Sequence, residues 1–180
     1  MGREIRRVVP NWMPPRDERG RLQPMYDRDF ETAAREWKDG FAAWERGERP
    51  EYYSGDDPDD MEFWEYEGDP PDREYYRPKW GADEATWFQV YETVSEGTPV
   101  TPAFATREEL IDYLAANGDF WDQSRRARGD SVMACGPWKR ENAESFVNAG
   151  WAPSMIVVNT PGQAPDVRSP RDGMPETTHG

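Results

Sequence analysis

The chain has 180 residues, with 36 Asp and Glu against 22 Lys and Arg, for a formal net charge of -14. Such a body repels phosphate, which excludes the basic footprint of a nucleic-acid binder, and one His and one Cys exclude a Cys/His metal site and an internal disulfide. Leu, Ile, Val and Phe are scarce, so the 9 Trp, 8 Tyr and 7 Phe must supply the core.

Residues 3 to 28 hold seven Arg against four acids, a basic start to an acidic chain. Prolines at 10, 14, 15 and 24 forbid a continuous helix there. The segment 1–28 therefore reads as an extended, proline-rich basic arm, pinned to the body by Trp12, Met25 and Tyr26. The N-terminus lacks the apolar stretch of a signal peptide and no long apolar run follows, so a soluble, intracellular protein is expected.

From Asp29 to Arg46 the residues Phe30, Ala33, Ala34, Trp37, Phe41 and Trp44 fall on one helical face. Asp29 is the expected N-cap, Gly47 the stop, and Glu31 and Arg35 an i,i+4 ion pair. Gly40 inside this helix costs about 1 kcal/mol relative to Ala by propensity.

Residues 51 to 74 carry eleven acids and one base, Arg73, interleaved with Tyr52, Tyr53, Phe63, Trp64, Tyr66, Tyr75 and Tyr76. A tract serving only solubility needs no such aromatics. Three readings compete: a solvated loop anchored by its rings, a docking surface where carboxylates steer and aromatics anchor, or a divalent-metal site. The partner-binding candidates are Asp56, Asp57, Asp59, Asp60, Glu62, Trp64, Glu65 and Glu67. A calcium loop fails, because starting at Asp56 puts Pro58 at its third position, and starting at Asp57 puts Met61 at its fifth. No metal ligands and no cofactor are assigned.

Trp87 to Val94 is aromatic and β-branched and reads as a strand, with Phe88, Val90 and Val94 on one face and Trp87, Gln89, Tyr91 and Thr93 on the other. Val100 to Phe104 suits an edge segment, since Pro99 and Pro102 cannot donate to a ladder. Thr106 and Glu109 have capping-box spacing ahead of Leu110, Ile111 and Leu114, and Asn117-Gly118 stops that helix. Residues 124 to 136 read as an exposed loop. A third helix is expected over 138–150, with Ala143, Phe146 and Val147 inward, then a short strand over 155–158. Beyond 158 the chain is rich in Pro and Gly and reads as a disordered tail, 159–180. The expected fold is α+β: about three helices packed on a small, mostly antiparallel sheet, forming a single domain over 29–158.

His179, the only histidine, is the penultimate residue in a Pro/Gly-rich tail, so neither a Ser-His nor a Cys-His arrangement is expected, and no glycine-rich phosphate loop occurs. The chain is not expected to be an enzyme. A different class of function is a small-molecule or carbohydrate site lined by Trp80, Trp87, Tyr91 and Trp121 with a carboxylate nearby.

Several stretches resemble small acidic proteins of tailed bacteriophages that have no assigned role: Val9-Pro10-Asn11-Trp12, Gln23-Pro24-Met25-Tyr26, Gly68-Asp69-Pro70-Pro71, Tyr75-Tyr76-Arg77-Pro78, Tyr91-Glu92-Thr93-Val94-Ser95-Glu96-Gly97-Thr98-Pro99 and Gly150-Trp151-Ala152-Pro153-Ser154. The likeness spans about residues 3 to 158 and carries over no functional residue. It implies a context, the cytoplasm of an infected bacterium, where a small acidic protein binds a host protein. With the charge concentration, the expectation is a non-enzymatic accessory protein directed at a basic or nucleic-acid-handling host target, including defence complexes, possessing features of a nucleic-acid mimic. A phage structural or assembly component is the further alternative. Neither direct nucleic-acid binding nor membrane binding is expected.

Overall fold

The computed structural model describes residues 2–51, 53, 61–94, 97–129 and 136–153 and, as backbone, 156–158 and 166–168. In chain order the elements are β1 (Arg3–Val8), β2 (Tyr26–Asp29), α1 (Phe30–Glu45), α2 (Phe63–Glu67), a 3-10 turn (Arg73–Tyr75), β3 (Tyr76–Arg77) and β4 (Trp87–Glu92). There follow α3 (Arg107–Asn117), α4 (Phe120–Ala127), α5 (Arg140–Ala149), β5 (Trp151–Ala152), β6 (Ile156–Val158) and β7 (Asp166–Arg168). This is an α+β fold with a small, mostly antiparallel sheet. The chain divides into two compact units, one formed by Met1–Pro24 with Trp80–Gly180 and the other by Met25–Lys79.

The first unit is built on a three-stranded antiparallel sheet in the order β4-β1-β5. Arg3 stands opposite Glu92 on one side and Ala152 on the other, so a stretch of the expected arm is the middle strand. Its sequence hides this. Arg6 and Arg7 disturb the apolar alternation, but their guanidinium groups lie 4.4 Å and 4.3 Å from the ring centroids of Tyr91 and Phe88, where long stems and cation–π attraction suit a strand. On the far side of β4, Phe88 and Phe104 exchange backbone hydrogen bonds of 2.8 Å, and the Val100 N–H donates to the Val90 carbonyl, which gives the expected edge segment.

Helices α3 and α5 pack over this sheet. Leu110, Leu114, Ala143, Phe146 and Val147 close on Val90 and Val100, and all are buried. The capping box forms as the spacing predicts: the Glu109 N–H donates to Thr106 Oγ1 and the Thr106 N–H to Glu109 Oε2. Gly150 ends α5 at φ 78, a left-handed turn that an L side chain rarely adopts.

Four local expectations are corrected. Residues 120–127, partly assigned to a loop, form helix α4, because Asp119 and Asp122 make a capping box with Asp in the place of the usual Glu or Gln. Val94, expected to continue the strand on the face of Phe88 and Val90, lies past its end and is 62% exposed: β4 ends at Glu92, whose carboxylate accepts the Val94 N–H. Glu31 pairs with Arg73 at 2.9 Å rather than with Arg35, as the 3-10 turn delivers a guanidinium to it. Within the expected tail, Asp166–Arg168 pairs antiparallel with Ile156–Val158, the backbone of residue 167 standing opposite that of residue 157.

The second unit is organised by α1. Asp29 caps it as expected, accepting the Thr32 N–H at 2.9 Å, and that bond holds the Asp29 carboxyl below its usual range. Its apolar stripe buries Ala33 and Trp44 and meets α2 through rings: Phe63 lies edge-on to Trp37 and Phe41 and tilted against Trp44. Phe63 approaches so closely that a Cβ at Gly40 would stand 2.9 Å from its Cζ. Gly40 is thus the gap that admits the ring. Beside α1 lies the short parallel pair β2-β3, with Tyr26 opposite Tyr76.

Candidate binding surface

Of the predicted partner-binding residues, Asp56, Asp57, Asp59 and Asp60 lie outside the described residues. Glu62, Trp64, Glu65 and Glu67 come together on α2. Glu62 is the N-cap, and its N–H donates to Glu65 Oε2 at 3.0 Å in a reciprocal capping box. The helix is a single turn held down by Phe63, which is buried, and by Tyr66 against Trp44. Residue 64 projects away from that anchor, and Trp64 is 46% exposed. An indole thus stands in solvent among Glu62, Glu65 and Glu67, all exposed. The unit that carries it, 25–79, has eighteen acids and eight bases, a net charge of -10. Much of the chain's negative charge is therefore concentrated in fewer than a third of its residues.

Beneath the turn lies a cleft of about 560 Å³ walled by Trp37, Trp44, Phe63 and Tyr76. Two bases line it, and each is already placed. Arg28 is paired with Glu36 at 2.6 Å, whereas Arg49 lies flat, 3.8 Å from the Trp44 ring centroid, and donates to the Trp44 carbonyl at 2.8 Å. Glu48, also in the lining, is paired with Arg46 at 2.7 Å, and that hydrogen bond lowers its carboxyl from the usual value. Glu67 and Asp69 line the cleft too and have no cationic partner among the described residues. Between them in sequence, the Gly68 carbonyl accepts the Trp37 indole N–H at 3.1 Å.

The first unit holds a separate groove of about 420 Å³, and the predicted aromatic site is only partly realised there. Trp87 lines it, with Trp12, Met13 and Phe120. Trp80 instead packs edge-on against Trp12 at 4.8 Å. Tyr91 is buried, its hydroxyl donating to Gln89 Oε1 at 2.8 Å, and Trp121 is on α4, outside the lining. Gln89 and Thr101, both buried, line the groove and are joined by a hydrogen bond from Gln89 Nε2 to the Thr101 carbonyl. Trp12, Gln89, Thr101 and Phe120 were not predicted for a site. An amide inside an otherwise apolar strand was the one local signal.

Among the described residues no group of three or more His, Cys, Asp or Glu side chains is arranged to hold a metal ion, and no helix is long and apolar enough to cross a membrane. Cys135 and His179 lie outside the described residues. Comparison of the chain with protein families, characterised proteins and solved structures finds no match.

Proposed function

We propose that this chain is a non-enzymatic binding protein whose acidic unit docks on a basic site of a protein partner. In the phage setting that the sequence resemblance implies, the partner is a host protein that handles nucleic acid, met in the bacterial cytoplasm. The observation that supports this reading is Trp64, held in solvent among Glu62, Glu65 and Glu67 on a unit of net charge -10. Carboxylates speed the encounter over distances on the order of a Debye length, roughly 8 to 10 Å at moderate salt, and do little for the final affinity. An exposed Trp supplies what they lack, a large apolar anchor of the kind that dominates interface energetics. The capping box fixes the turn on which both are presented.

The test is capture from nuclease-treated host lysate at low and high salt, comparing the native chain with Trp64→Ala and with Glu62→Gln/Glu65→Gln. A basic protein captured at low salt, lost with Trp64→Ala and weakened by the double variant, supports the reading. Capture indifferent to all three substitutions and to salt removes it.

A second reading attaches to the groove at Trp12 and Trp87, whose aromatic walls suit a small planar or carbohydrate ligand. A thermal-shift screen of sugars and nucleotides would find a stabilising compound, because a ligand that binds only the folded state raises its stability. No stabilisation across the panel would dismiss it.

A further inference from the structure

The groove of the first unit departs in charge from the chain around it. The whole sequence has 36 acids and 22 bases, yet the groove's lining includes no acid and a single base, Arg16. Arg16 and Leu22, both in the lining, are bridged across a short hairpin, which sets them side by side on one wall. The hairpin's own carboxylate is already taken, because Asp17 accepts the Arg21 Nε–H at 2.7 Å. The exposed Arg16 side chain donates to the Gly20 carbonyl at 2.7 Å and has no carboxylate partner among the described residues. On the aromatic walls, Trp87 is half-buried and has no ring contact among the described residues. Trp12 stands edge-on to Trp80 at 4.8 Å, but its Nε1–H is buried without an acceptor. Native proteins leave few buried donors unpaired, and each calls for an explanation. That atom is closed to solvent, so an acceptor reaches it only when the ring turns toward the groove that it lines.

We infer that this groove receives a flat aromatic anion, a ring system bearing a carboxylate or a phosphate. The ring lies against Trp87, the oxyanion pairs with Arg16, and an acceptor on the guest takes the Trp12 N–H. A lining without acids removes the close-range repulsion that such a guest meets elsewhere on this chain. At about 420 Å³ the groove has the size of ordinary small-molecule sites. A neutral sugar would leave the Arg16 charge unused. The inference rests on the small-ligand reading of this groove and assigns the ligand its charge.

The test is calorimetric titration of the full chain at low salt with two pairs of probes, adenosine monophosphate against adenosine and naphthoate against naphthamide. Each anion is expected to bind about fivefold more tightly than its neutral partner, the scale of one exposed ion pair, and to move the Trp12 indole N–H resonance. Arg16→Gln should bring both anions down to the neutral level. Arg19→Gln, which removes the same charge from the same hairpin outside the groove, should change neither. A larger gain for the nucleotide supports a phosphate as the head group, and a larger gain for naphthoate supports a carboxylate. Equal binding of anion and neutral partner, an unmoved Trp12 resonance, or an Arg19→Gln effect as large as that of Arg16→Gln overturns the inference and leaves a groove for neutral rings. No binding by any of the four probes overturns it as well. Should a neutral sugar then bind, the small-ligand reading survives without the anion; should nothing bind, both fall.

Discussion

Arg3 and Asp119 meet at 2.7 Å with side chains only 9% and 2% exposed, and this pair joins the middle strand of the sheet to the start of α4. Both Nε and Nη2 of Arg3 donate to Asp119 Oδ2, which leaves Oδ1 to accept the Asp122 N–H as a helix cap. Asp122 in turn accepts the Trp138 indole N–H at 3.0 Å. A single buried carboxylate thus serves the strand and the helix at once.

Removing one member of this pair strands a buried charge, which typically costs about 3 to 5 kcal/mol. Arg3→Met and Asp119→Asn are each expected to lower the denaturant-derived stability of the first unit by that order. The double variant should lose less than the sum of the two. Additive or negligible losses would show that the pair is not coupled.

Gly40 makes a case where helix propensity and packing disagree. Ala should gain up to about 1 kcal/mol in a helix interior. Its Cβ, however, would stand 2.9 Å from Phe63 Cζ, and overpacking of this kind costs about 1 to 3 kcal/mol. Gly40→Ala is expected to destabilise the second unit and to reduce its near-ultraviolet aromatic dichroism; a raised thermal midpoint would contradict the packing argument.

Asp29 provides a pH-dependent contribution whose direction is fixed. The Thr32 N–H bond holds its folded carboxyl below the ordinary value of an Asp in the unfolded chain, so the folded state binds its proton less readily than the unfolded chain does. The stabilisation is present above that unfolded value and fades as pH falls through the folded one. Asp29→Ala should therefore lower the thermal midpoint at neutral pH, and the gap from the native chain should narrow in acid below the unfolded value. A gap independent of pH would assign the effect to the cap's shape alone.

Trp64 is exposed and outside the ring contacts that hold α2. Trp64→Ala is expected to change stability by no more than about 0.5 kcal/mol, as for ordinary surface substitutions. Partner capture should nevertheless fall by tenfold or more, about 1.4 kcal/mol. Calorimetric unfolding beside a binding titration separates the two, and a large stability loss would make the indole structural instead.

Parts of the candidate binding surface could be read directly and parts could not. The acids and rings of 51–74 are visible as composition, and the Glu62–Glu65 spacing is a capping box in plain sequence. That Phe63 turns inward while Trp64 turns outward is settled only by the gap at Gly40, twenty-three residues earlier. Trp37, Glu67 and Asp69 likewise share a cleft because one carbonyl accepts an indole N–H across 31 positions.

By itself the sequence determined α1, α3 and α5, since each is written in local terms: Asp29 before Thr32, Thr106 with Glu109, and Gly150 at a left-handed turn. The tertiary structure alone decided that Arg3–Val8 lies between β4 and β5, with Arg3 opposite Glu92 and Ala152. Strand pairing depends on partners far along the chain, and here the arginines that make the segment look like a basic arm are accommodated by aromatic faces and a buried carboxylate. Capping and helical periodicity act within a few residues and can be read in order; these pairings act across the fold and exist only once it has closed.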